Sequence, residues 1–293
     1  MAVVENNTPF QVPCPNESHT ILEPFAVFEP TGESSGALVI LNTNLDKIAL
    51  RDIWRHSLVR VCADGGANRL YDFFDSENER EKYLPDYITG DCDSLRADVE
   101  KYYVSRGTIL IRQLSQYSTD FMKSIKVALL HASGESGRRA LAGPIESNNG
   151  LSDLMSEVCP LPEISLYVAG GIGGRFDQLF HLINQLYTLT KEYPGMAIFF
   201  YTETDVIFLI PKGVNYVKYS SVLIFNTLEL LPRCGLLPFG KNVILNTRGL
   251  QFDVENWPST VGGDVSTSNG ILGKDGFVIC TSEDIVLSVE VSR

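Results

Sequence analysis

Short apolar runs that each end in a turn rich in aspartate or glycine recur along the first two thirds of this chain. Residues 59–63 lead into Asp64-Gly65-Gly66, and residues 87–89 lead into Gly90-Asp91-Cys92-Asp93. Such continuous apolar runs are typical of parallel strands buried on both faces. Because the carboxyl ends of parallel strands meet at one edge of an open α/β sheet, the pattern predicts a site there that collects several carboxylates.

The chain divides into two parts by its periodicity. An α/β domain is predicted over 36–205, with a mostly parallel sheet and flanking helices. After residue 205 almost no helical pattern remains, and β runs alternate with Gly, Pro, Asn and Asp turns, which predicts an antiparallel β-sandwich over 206–293. Strands are predicted at 37–41, 59–63, 87–89, 108–111, 164–169, 197–201, 206–210, 222–225, 243–247, 277–280 and 285–291, and helices at 67–74, 97–106, 119–132 and 175–193.

Two segments stand outside this pattern. Residues 1–35 are rich in Pro, Asn, Glu and Ser, and we expect a loosely ordered extension. Residues 133–162 interrupt the α/β alternation with glycines, charged residues and three prolines, and we expect a long, mobile surface insertion.

Composition excludes several functional classes. The formal net charge of −12 argues against binding to a nucleic-acid backbone, while a metal ion can still bridge acidic residues and nucleotide phosphates. Six cysteines without a C-x-x-C pair favour reduced, buried thiols over a zinc site or a disulfide framework. The first 20 residues lack an apolar secretory core, and no run approaches the ~20 apolar residues of a membrane span, so we expect a cytoplasmic protein without membrane association.

Two of the turns suit metal or phosphate binding. Asp91 and Asp93 lie two residues apart and can each offer oxygens to one octahedral Mg²⁺, although a solvated acidic turn is the commoner outcome for an isolated D-x-D. Gly65-Gly66 precedes a predicted helix and lets backbone N–H groups approach an anion, while an ordinary loop capped by Asp64 explains the same residues.

Two further segments also contain residues that suit phosphate or metal binding. In Gly170–Asp177, Arg175 offers a planar fork for phosphate, and Asp177 can hold a metal or orient that arginine. The segment does not fit the dinucleotide fingerprint, because Phe176 stands at the third glycine position. Thr119-Asp120 opens a helix with Lys123 in its first turn, and helix capping alone explains that pair. Each motif is weak by itself, but four at successive strand ends reinforce one another.

In these residues the chain resembles the thiamine pyrophosphokinase family, specifically its eukaryotic type. The resemblance extends from about residue 37 to the C-terminus, in matching order and spacing. The matching segments are Asp64-Gly65-Gly66-Ala67-Asn68-Arg69-Leu70, Gly90-Asp91-x-Asp93-Ser94, Thr119-Asp120-Phe121-x-Lys123, Gly170-Gly171-x-Gly173-Gly174-Arg175-Phe176-Asp177-Gln178, Cys234-Gly235-Leu236-Leu237-Pro238 and Val265-Ser266-Thr267-Ser268-Asn269.

The resemblance implies transfer of the pyrophosphoryl group of ATP to the hydroxyl of thiamine, giving thiamine diphosphate and AMP. It implies Mg²⁺, an N-terminal α/β domain, a thiamine-binding C-terminal β-sandwich, and a homodimer with active sites at the subunit interface. The implied catalytic residues are Asp64, Asp91, Asp93, Asp120, Arg175 and Asp177, with Asp91, Asp93 and Asp120 as metal ligands. The implied substrate-binding residues are Gly65, Asn68, Arg69, Gln116, Thr119, Lys123, Gly173, Gln178, Ser266, Ser268 and Asn269.

One departure from the family pattern bears on the metal site. An acidic D-Q-D-type run often precedes the Thr-Asp pair, whereas this chain has Ser115-Gln116-Tyr117, which keeps the glutamine and lacks both acids. Two alternatives to the kinase stay open at this point. A D-x-D glycosyltransferase would also hold a nucleotide diphosphate through Mg²⁺, and a thiamine or nucleotide sensor would bind ligand without forming product.

Overall fold

The computed structural model describes residues 2–13, 19–29, 36–158, 160–219 and 231–291. Its contacts divide into two compact units. The α/β unit comprises Glu33–Gln185 and Leu189–Glu203, and the β unit comprises Met1–Gly32, Leu186–Thr188 and Thr204–Arg293.

Strands and helices alternate through the middle of the chain, and only strands are described after residue 192. The strands are β1 (Ala2–Glu5), β2 (Thr20–Leu22), β3 (Gly36–Ile40), β4 (Ser57–Ala63), β5 (Tyr87–Gly90), β6 (Ile109–Arg112), β7 (Ile164–Ala169), β8 (Met196–Tyr201), β9 (Asp205–Ile210), β10 (Gly213–Lys218), β11 (Arg233–Leu237), β12 (Val243–Arg248), β13 (Phe252–Glu255), β14 (Trp257–Ser259), β15 (Ser266–Gly270), β16 (Gly276–Thr281) and β17 (Ile285–Glu290). The helices are α1 (Leu50–Arg55), α2 (Gly66–Phe73), α3 (Glu77–Arg80), α4 (Ala97–Val104), α5 (Asp120–Ala132), α6 (Glu135–Ala142), α7 (Gly150–Ser156) and α8 (Phe176–Glu192), with one 3-10 turn at Ala26–Phe28.

The sheet of the α/β unit is parallel, with strand order β8-β7-β3-β4-β5-β6. Every residue of β3 is buried, as the continuous apolar run predicts for a central strand covered on both faces. The chain moves outward from β3 through β4, β5 and β6, then returns to the other side of β3 with β7 and β8. The order of the strands therefore reverses between β3 and β7, and ligands of such sheets bind at the carboxyl ends near this point.

The β unit is antiparallel, apart from β2, as its turn-rich sequence predicts. Strands β15-β11-β17-β9 lie side by side, and a second sheet has the order β14-β12-β16-β10-β2, in which β2 runs parallel to β10. These observations confirm the fold class expected from the sequence. The strand predicted at 222–225 lies outside the described residues.

The N-terminal segment differs from the expected loose extension in its described parts. Strand β1 pairs with β13, and β2 pairs with β10 of the β unit. Phe25 and Val27 are buried with exposed fractions of 1% and 0%. Strands β1 and β2 were not predicted, because each contains only two or three apolar residues within a polar, proline-rich segment.

The segment predicted as a loop insertion contains helices α6 and α7, which both pack against α5. Leu141 and Leu151 are buried, one on each helix. The buried side chain of Gln113 donates to the carbonyl of Glu146 over 2.6 Å and accepts from the N–H of Leu151 over 3.1 Å. The prediction of a loop is therefore wrong for these residues, which form two helices. Such short helices are stabilised by their contacts with α5 and with Gln113, the residue after β6, and local sequence does not reveal those contacts.

Among the described residues no helix is both long and apolar enough to cross a membrane; α8, with 17 residues, is the longest of them.

Candidate active site

Three aspartates meet at the carboxyl edge of the parallel sheet. Each of Asp64, Asp91 and Asp120 places a carboxylate oxygen within 4.8 Å of the other two. Asp64 follows β4, Asp91 follows β5, and Asp120 is the first residue of α5. Gly90 permits this approach: a Cβ there would lie 2.9 Å from Asp64 Cβ and 3.0 Å from Asp120 Oδ1, and its φ of +151° is strained for other residues.

Asp64 is the most buried member of this acid cluster. Its backbone has a φ of +44°, and its N–H donates to the carbonyl of Thr89 over 2.9 Å. Burial raises the pKa of the carboxyl, and the neighbouring carboxylates of Asp120 and Asp93 raise it further. Asp64 Oδ1 is buried without a hydrogen-bond partner among the described residues. A buried carboxylate oxygen without a donor is costly unless a cation or a proton binds it.

Asp91 and Asp120 are held by polar neighbours. Gln116 Nε2 donates to Asp91 Oδ2 over 3.0 Å, and this bond is the main reason that the pKa of Asp91 lies below its ordinary value. Lys123 Nζ donates to Asp120 Oδ1 over 2.9 Å from a side chain that is 4% exposed. Thr119 caps α5, because its side chain accepts from the N–H of Met122.

Asp93 lies outside the group of three. Its side chain is exposed, and Asp93 Oδ1 accepts from Ser94 Oγ over 3.0 Å. Cys92 has a φ of +63°, a left-handed conformation in the turn between the two acids. The sequence-based metal set of Asp91, Asp93 and Asp120 thus differs from the observed cluster, in which Asp64 takes the third place.

Asn68 supports the turn that carries Asp93. Its Nδ2 donates to the carbonyl of Ser94 over 2.7 Å, and its Oδ1 accepts from the N–H of Arg96 over 3.1 Å. The guanidinium of Arg96 in turn donates two bonds of 2.8 Å to Asp72, one helical turn after Asn68. The side chain of Asn68, which was predicted to contact substrate, therefore holds the turn that carries Asp93 in this structure.

The glycine-rich segment lies after β7, as predicted. Gly170, Gly171, Gly173 and Gly174 all have positive φ, so other residues at these positions would be strained. Arg175 precedes α8 and donates to Asp177 through Nε over 3.1 Å and Nη2 over 2.6 Å. This pairing raises the pKa of Arg175 and lowers that of Asp177. Both side chains are exposed, and Gln178 follows them, also exposed, in the first turn of the helix.

The C-terminal candidates lie on β15 in the β unit. Ser266 is half-buried, while Ser268 is exposed and has a φ of +55°. Asn269 is buried, and its amide makes two bonds to the backbone of Phe252: Oδ1 accepts from the N–H over 3.0 Å, and Nδ2 donates to the carbonyl over 2.9 Å. Asn269 therefore fixes β15 against β13, and Ser266 and Ser268 are the side chains left with exposed surface.

Two polar residues after β3 were missed by sequence analysis. Asn42 Oδ1 accepts from Arg69 Nε over 2.9 Å, and Thr43 Oγ1 accepts from the N–H of Gly171 over 2.7 Å. The loop after β3 thus joins α2 to the glycine-rich segment. The signal was available, because residues 42–44 come after the apolar run at 37–41 just as the aspartate turns come after theirs.

Comparison with known families and structures agrees with both units. The family model for the thiamin pyrophosphokinase catalytic domain matches residues 50–199, and that for the thiamin pyrophosphokinase vitamin B1 binding domain matches residues 223–286. Thiamine pyrophosphokinase from Saccharomyces cerevisiae is 40% identical over 287 residues, covering 90% of this chain and 88% of the yeast protein. Thiamine pyrophosphokinase 1 from Arabidopsis thaliana is 31% identical, covering 88% of this chain and 86% of the plant protein.

Solved structures give the same result. Thiamin pyrophosphokinase from Candida albicans superimposes with a TM-score of 0.90 at 39% identity, covering 99% of this chain and 98% of that one. The Bacillus subtilis enzyme, at 15% identity and a TM-score of 0.61, covers 87% of this chain and 99% of its own and shares the fold.

Proposed function

The chain belongs to the thiamine pyrophosphokinase family, and from this premise we propose that the acid cluster Asp64–Asp91–Asp120 is its reaction centre. The family assignment makes the protein an enzyme that converts ATP and thiamine into AMP and thiamine diphosphate. The observation that supports the placement is the meeting of three carboxylates at the edge of a parallel sheet where phosphate ligands bind. Neither the glycosyltransferase nor the sensor gains support from the comparisons.

The proposed metal is Mg²⁺. The described residues fit it, because Mg²⁺ binds one or two carboxylates together with substrate phosphates, and the cluster offers three carboxylates in reach of one another. The buried Asp64 Oδ1, which has no donor among the described residues, is an oxygen that a cation would satisfy. Asp64, Asp91 and Asp120 would hold the ion, in place of the set with Asp93 predicted from sequence. Bound Mg²⁺ would supply neutralisation of the phosphate charge during transfer.

The reaction joins the hydroxyl oxygen of thiamine to the β-phosphorus of ATP and breaks the bond from that phosphorus to the α,β-bridging oxygen, which leaves with AMP. Such transfer depends on positioning and charge far more than on covalent chemistry. In our proposal Arg175 opposes charge on the phosphates, because a guanidinium fork matches phosphate geometry. Its pairing with Asp177 holds the fork in one orientation before substrate arrives.

The hydroxyl proton needs an acceptor, and Asp93 and Asp120 are the two candidates among the acids implied by the resemblance. We favour Asp93, because its carboxylate is exposed and bonded to neighbouring Ser94, whereas Asp120 is engaged by Lys123 within the cluster. Asp93→Asn should then lower kcat while leaving Mg²⁺ affinity unchanged. A large loss of Mg²⁺ affinity in that variant would instead return Asp93 to the metal site.

Substrate contacts are proposed on both units. Arg69 and Lys123, with the glycine-rich loop at Gly173 and the neighbouring Gln178, are assigned to the nucleotide. Ser266 and Ser268 are assigned to thiamine, with Asn269 holding their strand. Gly65 is assigned to shaping the site because the side chain of Asn42 occupies the space that a Cβ on Gly65 would need. Asn68, Gln116 and Thr119 are assigned to shaping it through the backbone and carboxylate contacts described above.

Two further expectations, the oligomeric state and the cellular location, also stay proposals. The resemblance implies a homodimer with active sites at the subunit interface, and we keep the cytoplasmic location as a proposal beside it. Sedimentation equilibrium of the purified chain, and microscopy of a tagged chain in its host cells, would test them separately.

The deciding experiment is mass-spectrometric product analysis after mixing the purified chain with ATP, Mg²⁺ and thiamine. We expect thiamine diphosphate and AMP in equal amounts, and loss of both products with EDTA. ADP with thiamine monophosphate would contradict attack at the β-phosphorus. Asp91→Asn should lower turnover by at least about a hundredfold without loss of the fold, as expected for a group acting on transition-state charge. Near-normal turnover would remove Asp91 from the mechanism.

A further inference from the structure

The loop after β3 lies where the strand order of the parallel sheet reverses. β3 has β4 on one side and β7 on the other, and its loop contacts the segments at the carboxyl ends of both neighbours. On the β4 side, Asn42 reaches Arg69, and on the β7 side, Thr43 accepts from the N–H of Gly171. Ligands of open α/β sheets bind in the crevice at this reversal. A polar loop that joins both walls of the crevice is placed to organise the groups that a ligand meets there.

Arg69 differs from the neighbouring arginines of this sheet edge. Arg96 pairs with Asp72, Arg112 pairs with Glu100, and Arg175 pairs with Asp177. Arg69, an exposed residue on α2, has no carboxylate within ion-pair distance in the described parts of the chain. Its Nε instead donates to the neutral amide oxygen of Asn42. The guanidinium is thus held in place with its full positive charge available.

Asn42 also lies beside the start of the acid cluster. Its side-chain amide packs against Gly65 so closely that a Cβ on Gly65 would lie 2.3 Å from Asn42 Nδ2. Because Gly65 directly follows Asp64, the amide sits between the guanidinium and the backbone that carries the buried acid. Side chains longer than glycine at position 65 would displace Asn42 and release Arg69.

From these contacts we propose that Asn42 is a positioning residue for the nucleotide, holding Arg69 beside the acid cluster so that its guanidinium binds a phosphate of ATP. This inference rests on the proposed function, in that the acid cluster must be the polyphosphate site. An asparagine suits the role better than an aspartate. Both residues orient a guanidinium, but a carboxylate also offsets part of the charge that attracts phosphate, as Asp177 does at Arg175 and as neutral Asn42 does not at Arg69.

Asn42→Asp tests the proposal with almost no change of shape. The test measures equilibrium binding of α,β-methylene-ATP with Mg²⁺ to the full chain by calorimetry, together with KM for ATP, KM for thiamine and kcat. We expect Asn42→Asp to weaken analogue binding about tenfold or more and to raise the KM for ATP, with the KM for thiamine unchanged. Asn44→Asp is the control for added charge, since it places the same charge two residues along the same exposed loop; it also removes a hydrogen bond to Asp46, so it controls for local disturbance of the loop as well. It should change analogue binding by less than about twofold.

The same substitution in an Arg69→Ala background shows whether Asn42 acts through Arg69. Arg69→Ala alone should weaken analogue binding, and adding Asn42→Asp should then have little further effect, because the charge to be cancelled is gone. A loss from Asn42→Asp that is equally large in both backgrounds would overturn the proposal, as would a loss no greater than that of Asn44→Asp.

Measuring analogue binding and turnover separately distinguishes a failure of this inference from a failure of the proposed function. If the wild-type chain binds the analogue but forms no thiamine diphosphate, the proposed function fails. The double-mutant cycle of Asn42→Asp and Arg69→Ala, measured by analogue binding, still decides the role of Asn42. If the wild-type chain turns over normally while the cycle shows no coupling between Asn42 and Arg69, only the positioning role fails.

Discussion

Gln116 Nε2 donates a 3.0 Å hydrogen bond to Asp91 Oδ2, so the carboxylate that follows β5 is held by an amide from the loop before α5. The same bond is the largest cause of the lowered pKa of Asp91. In this chain the supporting glutamine stands between Ser115 and Tyr117, so it is a neutral donor without an acid on either side of it. The arrangement supplies orientation without adding negative charge to a cluster that already holds three carboxylates.

Gln116→Leu should raise the pKa of Asp91 in the metal-free protein, because the donor that favours the ionised form is lost. Asp91 would then become protonated at a higher pH as the solution is acidified. The measurement is a carbon-13 NMR titration of the carboxyl in EDTA, with Gln11→Leu as control, since Gln11 also donates to a carboxylate, that of Asp275. An unchanged Asp91 titration in Gln116→Leu would contradict the role given to this bond.

Asp64→Asn should stabilise the metal-free protein while abolishing most activity. Burial raises the pKa of Asp64, so its contribution to stability is present at low pH and is lost as the pH rises through the folded-state pKa. In EDTA at neutral pH, we expect Asp64→Asn to gain about 0.5–2 kcal/mol of unfolding free energy, as removal of a strained functional group commonly does.

Urea unfolding at several pH values measures this effect. The stability gap between Asp64→Asn and the wild-type chain should widen as the pH rises from acid to neutral. The substitution should also lower turnover by about a hundredfold or more in Mg²⁺. A variant that is less stable than wild type at neutral pH in EDTA would show that the ionised carboxylate of Asp64 does not destabilise the metal-free fold.

Asn269→Ala should destabilise the β unit and weaken thiamine binding together. The asparagine satisfies both backbone groups of Phe252 from a buried position, and each group left without a partner costs about 1–3 kcal/mol. Asn246→Ala is the control, because the side chain of Asn246 accepts a single bond from the N–H of Asn256. Thermal unfolding and the KM for thiamine provide the two readouts. A raised KM with unchanged stability would indicate direct contact with thiamine instead.

Sequence periodicity located most of the α/β unit because its strands are buried on both faces. The predicted strand at 164–169 is observed as β7 with the same bounds, and the predicted helix at 175–193 is observed as Phe176–Glu192. Residues that depend on contacts distant in sequence were missed. Strand β1 forms only through its pairing with β13, and α7 is fixed through Gln113, which lies far from it along the chain.

The members of the acid cluster were all predicted for one site, but the metal ligands chosen from that site included Asp93 and left out Asp64. Spacing alone favours Asp91 with Asp93, since two acids two residues apart share one turn. The structure replaces Asp93 by Asp64 because the left-handed backbone at Asp64 and Cys92 changes the path of each turn. L-residues rarely adopt that conformation, and local sequence gives little sign of it. Asn42 was missed for a different reason, since its role depends on contact with Arg69, which lies on α2 and is 27 positions away along the chain.

Lys123→Met should make the stability of the chain depend more strongly on Mg²⁺. Lys123 Nζ is 2.9 Å from Asp120 Oδ1, and its buried side chain brings a positive charge to a cluster of three carboxylates. Without metal, its loss leaves those carboxylates facing one another. We expect a cost of about 1–3 kcal/mol in EDTA, below that of a fully buried pair because Asp120 is 32% exposed. Mg²⁺ should restore much of this stability, because a cation again neutralises the acids.

Lys126→Met is the matched control for this prediction. Lys126 lies on the same helix, is half-buried, and donates from Nζ to Ser152 Oγ over 2.7 Å, so its loss removes a hydrogen bond without exposing an acid cluster. Thermal unfolding of both variants in EDTA and in Mg²⁺ gives the comparison. The gain from Mg²⁺ should exceed that of the wild-type chain in Lys123→Met and equal it in Lys126→Met. If both variants lose the same stability under both conditions, Lys123 serves α5 as a packing residue, and the acid cluster does not depend on its charge.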